Sequence, residues 1–333
     1  MATERQRPAA RAGVPFGPLT LRARVAMGPR AEVFRARLGR QEVACKRLLP
    51  HLVDDAEARQ QLQVEAAILR VIPRSAEAAR WIADDVHGAR PWLATAWTVG
   101  LPLSALLDEA EGGAMETEQW TAVRRLAVLG LWRALSHLHA AGWIHGDLSA
   151  RNALCRCDGR VVLIDLAAAL PLSSSGAPPR SRGTARYAAP EVAALDRLLP
   201  ASDVFAAAAL SERLWPALAA DTTGFLAQLR AAQGAAEARP TAASLAALAR
   251  TALRATAHDG PWSRAALRAT IARRSTPPQP TAEVRPSPIA AAEADTPPDD
   301  PTATRVVEGG WAAFAALAGR SDPTGDARGP DAG

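Results

Sequence analysis

The sequence predicts an α+β chain with two segregated halves and a tail of different character. Three observations carry this. Strand-like alternation fills residues 19–43, while nearly everything from 186 to about 256 reads helical, so strands come first and helices later. Hydrophobic residues make up 48% of the 333, enough to build a full core. Beyond residue 276 the composition changes: ten of the last 58 residues are proline, many beside Thr or Asp. Such a stretch buries too little apolar surface to offset its chain entropy, so disorder is expected there.

The elements follow in order. Residues 1–18 read as a flexible leader. Turn residues at Gly28-Pro29 and Gly39 divide the strand region that follows. Residues 54–70 predict a helix with Leu62, Ala66 and Leu69 on one face. Residues 91–99 form a short apolar run, expected as a strand. A long helical pattern spans 117–141, capped by Thr117 and ended by Gly142. VVLID, residues 161–165, reads as a buried strand. Within the tail, Trp311, Phe314 and Leu317 fall at helical spacing in residues 305–320. That segment reads either as a short helix docking on this domain or on a partner, or as an apolar cluster in a loose tail.

Composition also excludes some classes. The net charge is +5, but Arg is spread along the chain, which reads as solvated surface and not as a nucleic-acid face. Cys45, Cys155 and Cys157 are too few for a disulfide scaffold and suit a reducing compartment. Cys155 and Cys157 make a lone C-x-C, half of what a four-ligand zinc site needs. No signal-length apolar segment opens the sequence, and the most apolar region, residues 204–220, is broken by Ser211, Glu212, Arg213 and Pro216. No membrane span is expected, and the cytoplasm is the expected location.

The chemistry concentrates in HGDLSARN, residues 145–152, between the long helix and the VVLID strand. Asp147 and Asn152 sit five residues apart on one loop, and Asp165 follows Asn152 by thirteen. Phosphoryl transfer from ATP needs a carboxylate to orient the attacking hydroxyl and accept its proton. It also needs an amide oxygen and a second carboxylate to hold Mg²⁺ against the phosphates. Asp147, Asn152 and Asp165 match those roles in order. Asp and Asn are also common turn formers, but three at these spacings favour the chemical reading.

At these residues the sequence resembles the protein kinases, specifically the bacterial, eukaryote-like Ser/Thr type. The resemblance implies a two-lobed fold. A small β-rich lobe would span about 19–98 and a larger helical lobe about 99–256, with a Pro- and Ala-rich tail at 257–333. It implies that Lys46, in VACK, grips the α- and β-phosphates and that Glu65, nineteen residues on, positions Lys46. VAMGPRAEVFRA, residues 25–36, is similar to the loop that covers the phosphates, with Gly28 retained and Val33 at the valine position. Ala44, Thr95, Ala96 and Thr98 are implied around the adenine, Thr95 as gatekeeper and residues 96–98 offering backbone hydrogen bonds. GTARYAAPE, residues 183–191, resembles the segment that shapes the substrate platform of Ser/Thr kinases. Thr184 would contact the catalytic loop, Tyr187 would be structural, Asp203 would brace the loop's backbone, and Arg239 would pair with Glu191.

Some positions depart from the family pattern. Ala26 and Ala31 replace two glycines of the phosphate loop, which implies weaker or slower nucleotide binding. The usual H-R-D is His145-Gly146-Asp147, so the Arg that clamps an activation-loop phosphate is absent. The usual D-F-G is Asp165-Leu166-Ala167, which implies a loop that moves less freely. Ser149 stands where Ser/Thr kinases place a Lys, and Arg151, on the same loop, would supply the missing charge. The expected function is an ATP- and Mg²⁺-dependent Ser/Thr protein kinase acting on protein substrates. A pseudokinase scaffold and, more distantly, a small-molecule phosphotransferase are the competing classes.

Overall fold

The computed structural model describes residues 13–111, 118–179, 183–215 and 224–255. The expected disordered tail, its 305–320 helix and the Thr117 cap lie outside these residues. All described residues belong to one unit, which spans residues 1–271.

The first half is a six-stranded antiparallel sheet in the order β1-β2-β3-β4-β6-β5. Its strands are β1 (Val14–Phe16), β2 (Leu19–Met27), β3 (Ala31–Leu38), β4 (Gln41–Leu48), β5 (Trp81–Asp85) and β6 (Trp92–Ala96). The leader is therefore shorter than expected, because residues 14–16 are a strand. Gly17-Pro18 reads as linker, but Gly17 takes φ +56° and turns the chain so that Phe16 faces Leu19 in the ladder. Phe16 then enters the core with Leu19, Leu21, Ala36, Val43, Cys45, Trp92 and Ala94. The guanidinium groups of Arg47 and Arg90 lie over its ring at 4.9 and 4.3 Å.

Helix α1 (Ala56–Val71) begins where the Asp55 carboxylate accepts from the Ala58 N–H at 2.7 Å. It stops at Ile72 because Pro73 cannot continue it. Leu62, Ala66 and Leu69 are buried as their spacing predicts, and Glu65 is buried with them.

The second half is organised on α3 (Glu118–Ala140), which carries buried Val128, Leu131, Trp132 and Leu135. It packs against α5 (Pro200–Leu214) and α7 (Ala242–Ala255). Between α3 and α5 run β8 (Trp143–Ile144), β9 (Ala153–Arg156), β10 (Val161–Leu163), β11 (Leu170–Pro171) and the one-turn α4 (Pro190–Ala193). β7 (Gly100–Pro102) joins β9 and β10 in a three-stranded sheet and leads into α2 (Leu103–Glu111). The short α6 (Phe225–Ala231) precedes α7. The Trp132 indole donates to Ser211 Oγ at 3.0 Å, fixing α3 to α5. Among the described residues no helix is long and apolar enough to cross a membrane.

The VVLID strand ends two residues earlier than expected. Ile164 N–H still donates to the carbonyl of Asn152 opposite it, at 2.9 Å, but the Asn152 N–H turns away to Ser149 O at 3.1 Å and Asp165 takes φ +61°. The two halves join here as well. Leu163 N–H donates to Glu77 O at 2.9 Å and Ala79 N–H to Leu163 O at 2.7 Å, so the segment after α1 is stitched to the strand that ends at the site.

Candidate active site

The period-2 alternation of β4 sorts its side chains. Val43 and Cys45 fill the core, so Ala44 and Lys46 occupy the other face. The register extends that face. Val33 stands opposite Lys46 and Thr95 opposite Ala44, and directly opposed residues share a face. Four of the predicted nucleotide-site residues thus line one surface of the sheet.

From that surface Lys46 Nζ reaches two carboxylates, Glu65 Oε2 at 2.7 Å and Asp165 Oδ1 at 2.8 Å. Burial works against the ammonium, but the two carboxylates outweigh it and hold the Lys46 pKa above the usual range. Lys46 in turn holds Asp165 below the usual carboxylate range, against the effect of burial. Glu65 also accepts the backbone N–H of Leu166, which is fully buried. One ammonium and one carboxylate therefore tie the sheet, α1 and the Asp165 loop together. The positive φ of Asp165, costly for a residue other than Gly, persists because these bonds over-determine it.

The loop after β8 carries the remaining groups. Buried Asp203, on α5, accepts the backbone N–H groups of His145 at 2.7 Å and Gly146 at 3.0 Å. His139 bonds the same carboxylate at 2.9 Å, and despite burial these partners hold Asp203 below the usual carboxylate range. His145 is buried between a carbonyl, Ile164 O at 3.2 Å from Nε2, and a donor, the Asp147 N–H at 3.3 Å from Nδ1. Those partners suit the tautomer with its proton on Nε2. Asn152 Nδ2 donates to the Asp147 carbonyl at 2.9 Å, which leaves its amide oxygen as an acceptor. Asp147 Oδ1 accepts both the N–H of Thr184, at 2.8 Å, and its hydroxyl, at 2.9 Å. Burial pushes the Asp147 carboxyl up, while the Thr184 hydrogen bonds pull the other way. Arg151 is exposed on this loop and, among the described residues, has no counter-charge.

The platform segment is anchored as the motif implies. Arg239 Nη1 donates to Glu191 Oε1 at 2.6 Å and Nη2 to Oε2 at 3.1 Å, with 2% and 8% of the two side chains exposed. Ser202 donates to Glu191 as well, at 2.7 Å. Tyr187 is buried, and its hydroxyl accepts from Arg213 at 2.5 Å.

Three backbone details add to the sequence reading. Ala96 is not an available donor, because its N–H goes to Arg80 O at 2.8 Å and that of Trp97 to Glu42 O at 3.3 Å. The Thr98 N–H, by contrast, has no protein acceptor among the described residues. Gly28 N–H closes the β2–β3 turn onto Ala31 O at 2.8 Å, so it does not extend toward a ligand. Gly146 is more than a missing Arg: it has φ +81°, and a Cβ there would lie 2.5 Å from Ala168 O and 3.0 Å from Leu198 Cδ2. No side chain fits on this backbone. Sequence reasoning passed over His139 and the steric demand at residue 146, because both depend on partners distant in the chain.

The donor set fits magnesium-bound ATP. Asn152 offers an amide oxygen, and the Asp165 carboxylate is 42% exposed beyond its Lys46 contact, the hard oxygen donors Mg²⁺ takes. Beside them stands a fixed ammonium suited to phosphate.

Residues 22–215 match the protein kinase domain family, and the chain belongs to that family. It is similar to the serine/threonine-protein kinases AfsK of Streptomyces griseus and Streptomyces coelicolor, each 33% identical over 193 residues. Those alignments cover 57% of this chain and 23% of each relative. A serine/threonine-protein kinase of Corynebacterium efficiens, drp72, is 29% identical over 174 residues, 50% of this chain and 32% of that protein. The chain thus spans about a quarter to a third of the length of these relatives.

Proposed function

We propose that the chain is a bacterial Ser/Thr protein kinase that transfers the γ-phosphate of ATP to hydroxyls of protein substrates, in signalling. The observation that carries this reading is Lys46 held between Glu65 and Asp165, one cation joining both lobes at the mouth of the Asp147 loop. Magnesium-bound ATP would supply the transferable phosphoryl group. Ala44, Val33 and Thr95 would pack against its base, and the Thr98 N–H would donate to it. The Lys46 ammonium would bind phosphate oxygens, with Glu65 fixing its direction. Asn152 and Asp165 would hold the metal. Asp147 would orient the acceptor hydroxyl and take its proton. Thr184, which spans the Asp147 carboxylate with two hydrogen bonds, keeps that group aimed. Arg151 would offset charge developing on the transferred group. Arg151→Ala should then lower kcat by about tenfold or more while ATP affinity changes little; an unchanged kcat removes that role.

One observation favours a binding module without catalysis. Ala26 and Ala31 replace glycines, and Gly28 spends its N–H within the turn. The intact set Lys46, Glu65, Asp147, Asn152 and Asp165 opposes it. Incubation with radiolabelled ATP and a generic protein substrate separates the two. The wild type should label the substrate, and Asp147→Asn should lose about 10²- to 10⁴-fold of that rate. Nucleotide binding without label transfer by the wild type would leave only the binding module.

A further inference from the structure

The platform beside Asp147 carries an exposed cation that has no partner among the described residues. Thr184 O accepts the N–H groups of Tyr187 at 2.8 Å and Ala188 at 3.0 Å, closing a tight turn over residues 184–187. Both ends of this turn are fixed. Thr184 bonds Asp147 Oδ1 through its N–H and its hydroxyl, and Tyr187 is buried with its hydroxyl bonded to Arg213. Arg186 sits within the turn and is exposed. Among the described residues it makes no ion pair or hydrogen bond.

Several carboxylates of the helical half have partners of their own, Asp147 among them through Thr184. Glu191 is bound by Arg239, Glu237 by Arg197, and Asp203 by His139 and two backbone N–H groups. Residues 166–190 contain no Asp or Glu at all, so the segment has no counter-charge of its own. A turn fixed at both ends therefore presents a guanidinium, unpaired among the described residues, two residues from the residue that touches the proposed base. A guanidinium in that setting binds a carboxylate or a phosphate, and for phosphate its planar fork is well matched.

We infer that Arg186 selects protein substrates with an anionic side chain close to the acceptor Ser or Thr. This rests on the kinase reading above and goes beyond it by naming the substrate class. The anion would be Asp or Glu, or a residue phosphorylated beforehand, since the recognising chemistry is the same. The contact is at the surface, so the preference should weaken as ionic strength rises.

The test is a set of peptides with one acceptor Ser, flanked by Ala, by Asp and Glu, by phosphoserine, or by Lys and Arg. The readout is the ratio of kcat/KM between charged and Ala-flanked peptides, which a general loss of folding does not move. The wild type should favour the anionic peptides by about tenfold and disfavour the basic ones. The carboxylate and phosphoserine arms identify which anion is preferred. Arg186→Ala should bring the ratio near one, and Arg186→Glu should invert it. If Arg186→Glu does not fold, the ratio for Arg186→Ala decides alone. Phosphorylation of all peptides at equal efficiency, or an acidic preference that survives Arg186→Ala, overturns the inference. Absence of transfer to every peptide and to a generic protein would instead strike at the kinase reading itself.

Discussion

At the scale of the residue, the site sets its two aspartates in different environments. Asp165 is held low by Lys46, while Asp147 is pushed up by burial. The sign for Asp147 follows from linkage. A folded-state pKa above the unfolded value means that the ionised group costs stability at neutral pH, and that this cost disappears as pH falls below the unfolded value. Transfer needs the ionised form, so the rate should rise with pH through an apparent pKa above the usual Asp range. Asp147→Asn removes the buried charge and can still accept from Thr184. It should therefore melt at or above the wild-type temperature while losing transfer, as expected where a site trades stability for activity. Thermal melts and a pH–rate profile check both. A lower melting temperature for Asp147→Asn, or a rate flat down to the ordinary Asp range, would count against this picture.

At the scale of the element, the Asp147 loop is held by contacts the short motifs do not contain. HGDLSARN is local, so its spacing was readable. Lys46 and Glu65 were readable because β4 and α1 are consecutive elements with clear periodicity. β1 was not, since a three-residue strand between two glycines looks like linker. Nor was the reason for Gly146, which lies in the carbonyl of Ala168 and the side chain of Leu198. Restoring the familiar Arg there tests this. Gly146→Arg should destabilise by about 2 kcal/mol or more, from positive φ and a sub-contact Cβ, and should lower transfer. Denaturant melts give the first quantity, and a stable, active variant would show that the loop has another conformation.

At the scale of the whole molecule, the division into a strand-rich and a helical half followed from composition and order alone. The joining of the halves did not. It depends on Leu163 pairing with residues 77–79 and on Lys46 reaching Asp165 across 119 residues of sequence. The buried Arg239–Glu191 pair was anticipated from motif likeness, yet physics alone would not place it, since such a pair is costly unless its hydrogen bonds are complete. Here Ser202 and the Ala201 carbonyl complete them.

The central claim is that Glu65 serves transfer through Lys46, so the two should act as one unit. The direct measurement is kcat/KM for ATP in the wild type, Lys46→Ala, Glu65→Gln and the double variant. Each single change should cost about 10²-fold or more, and the double should cost little more than Lys46→Ala alone. Losses that multiply in the double variant would mean that Glu65 works independently of Lys46 and would contradict the account.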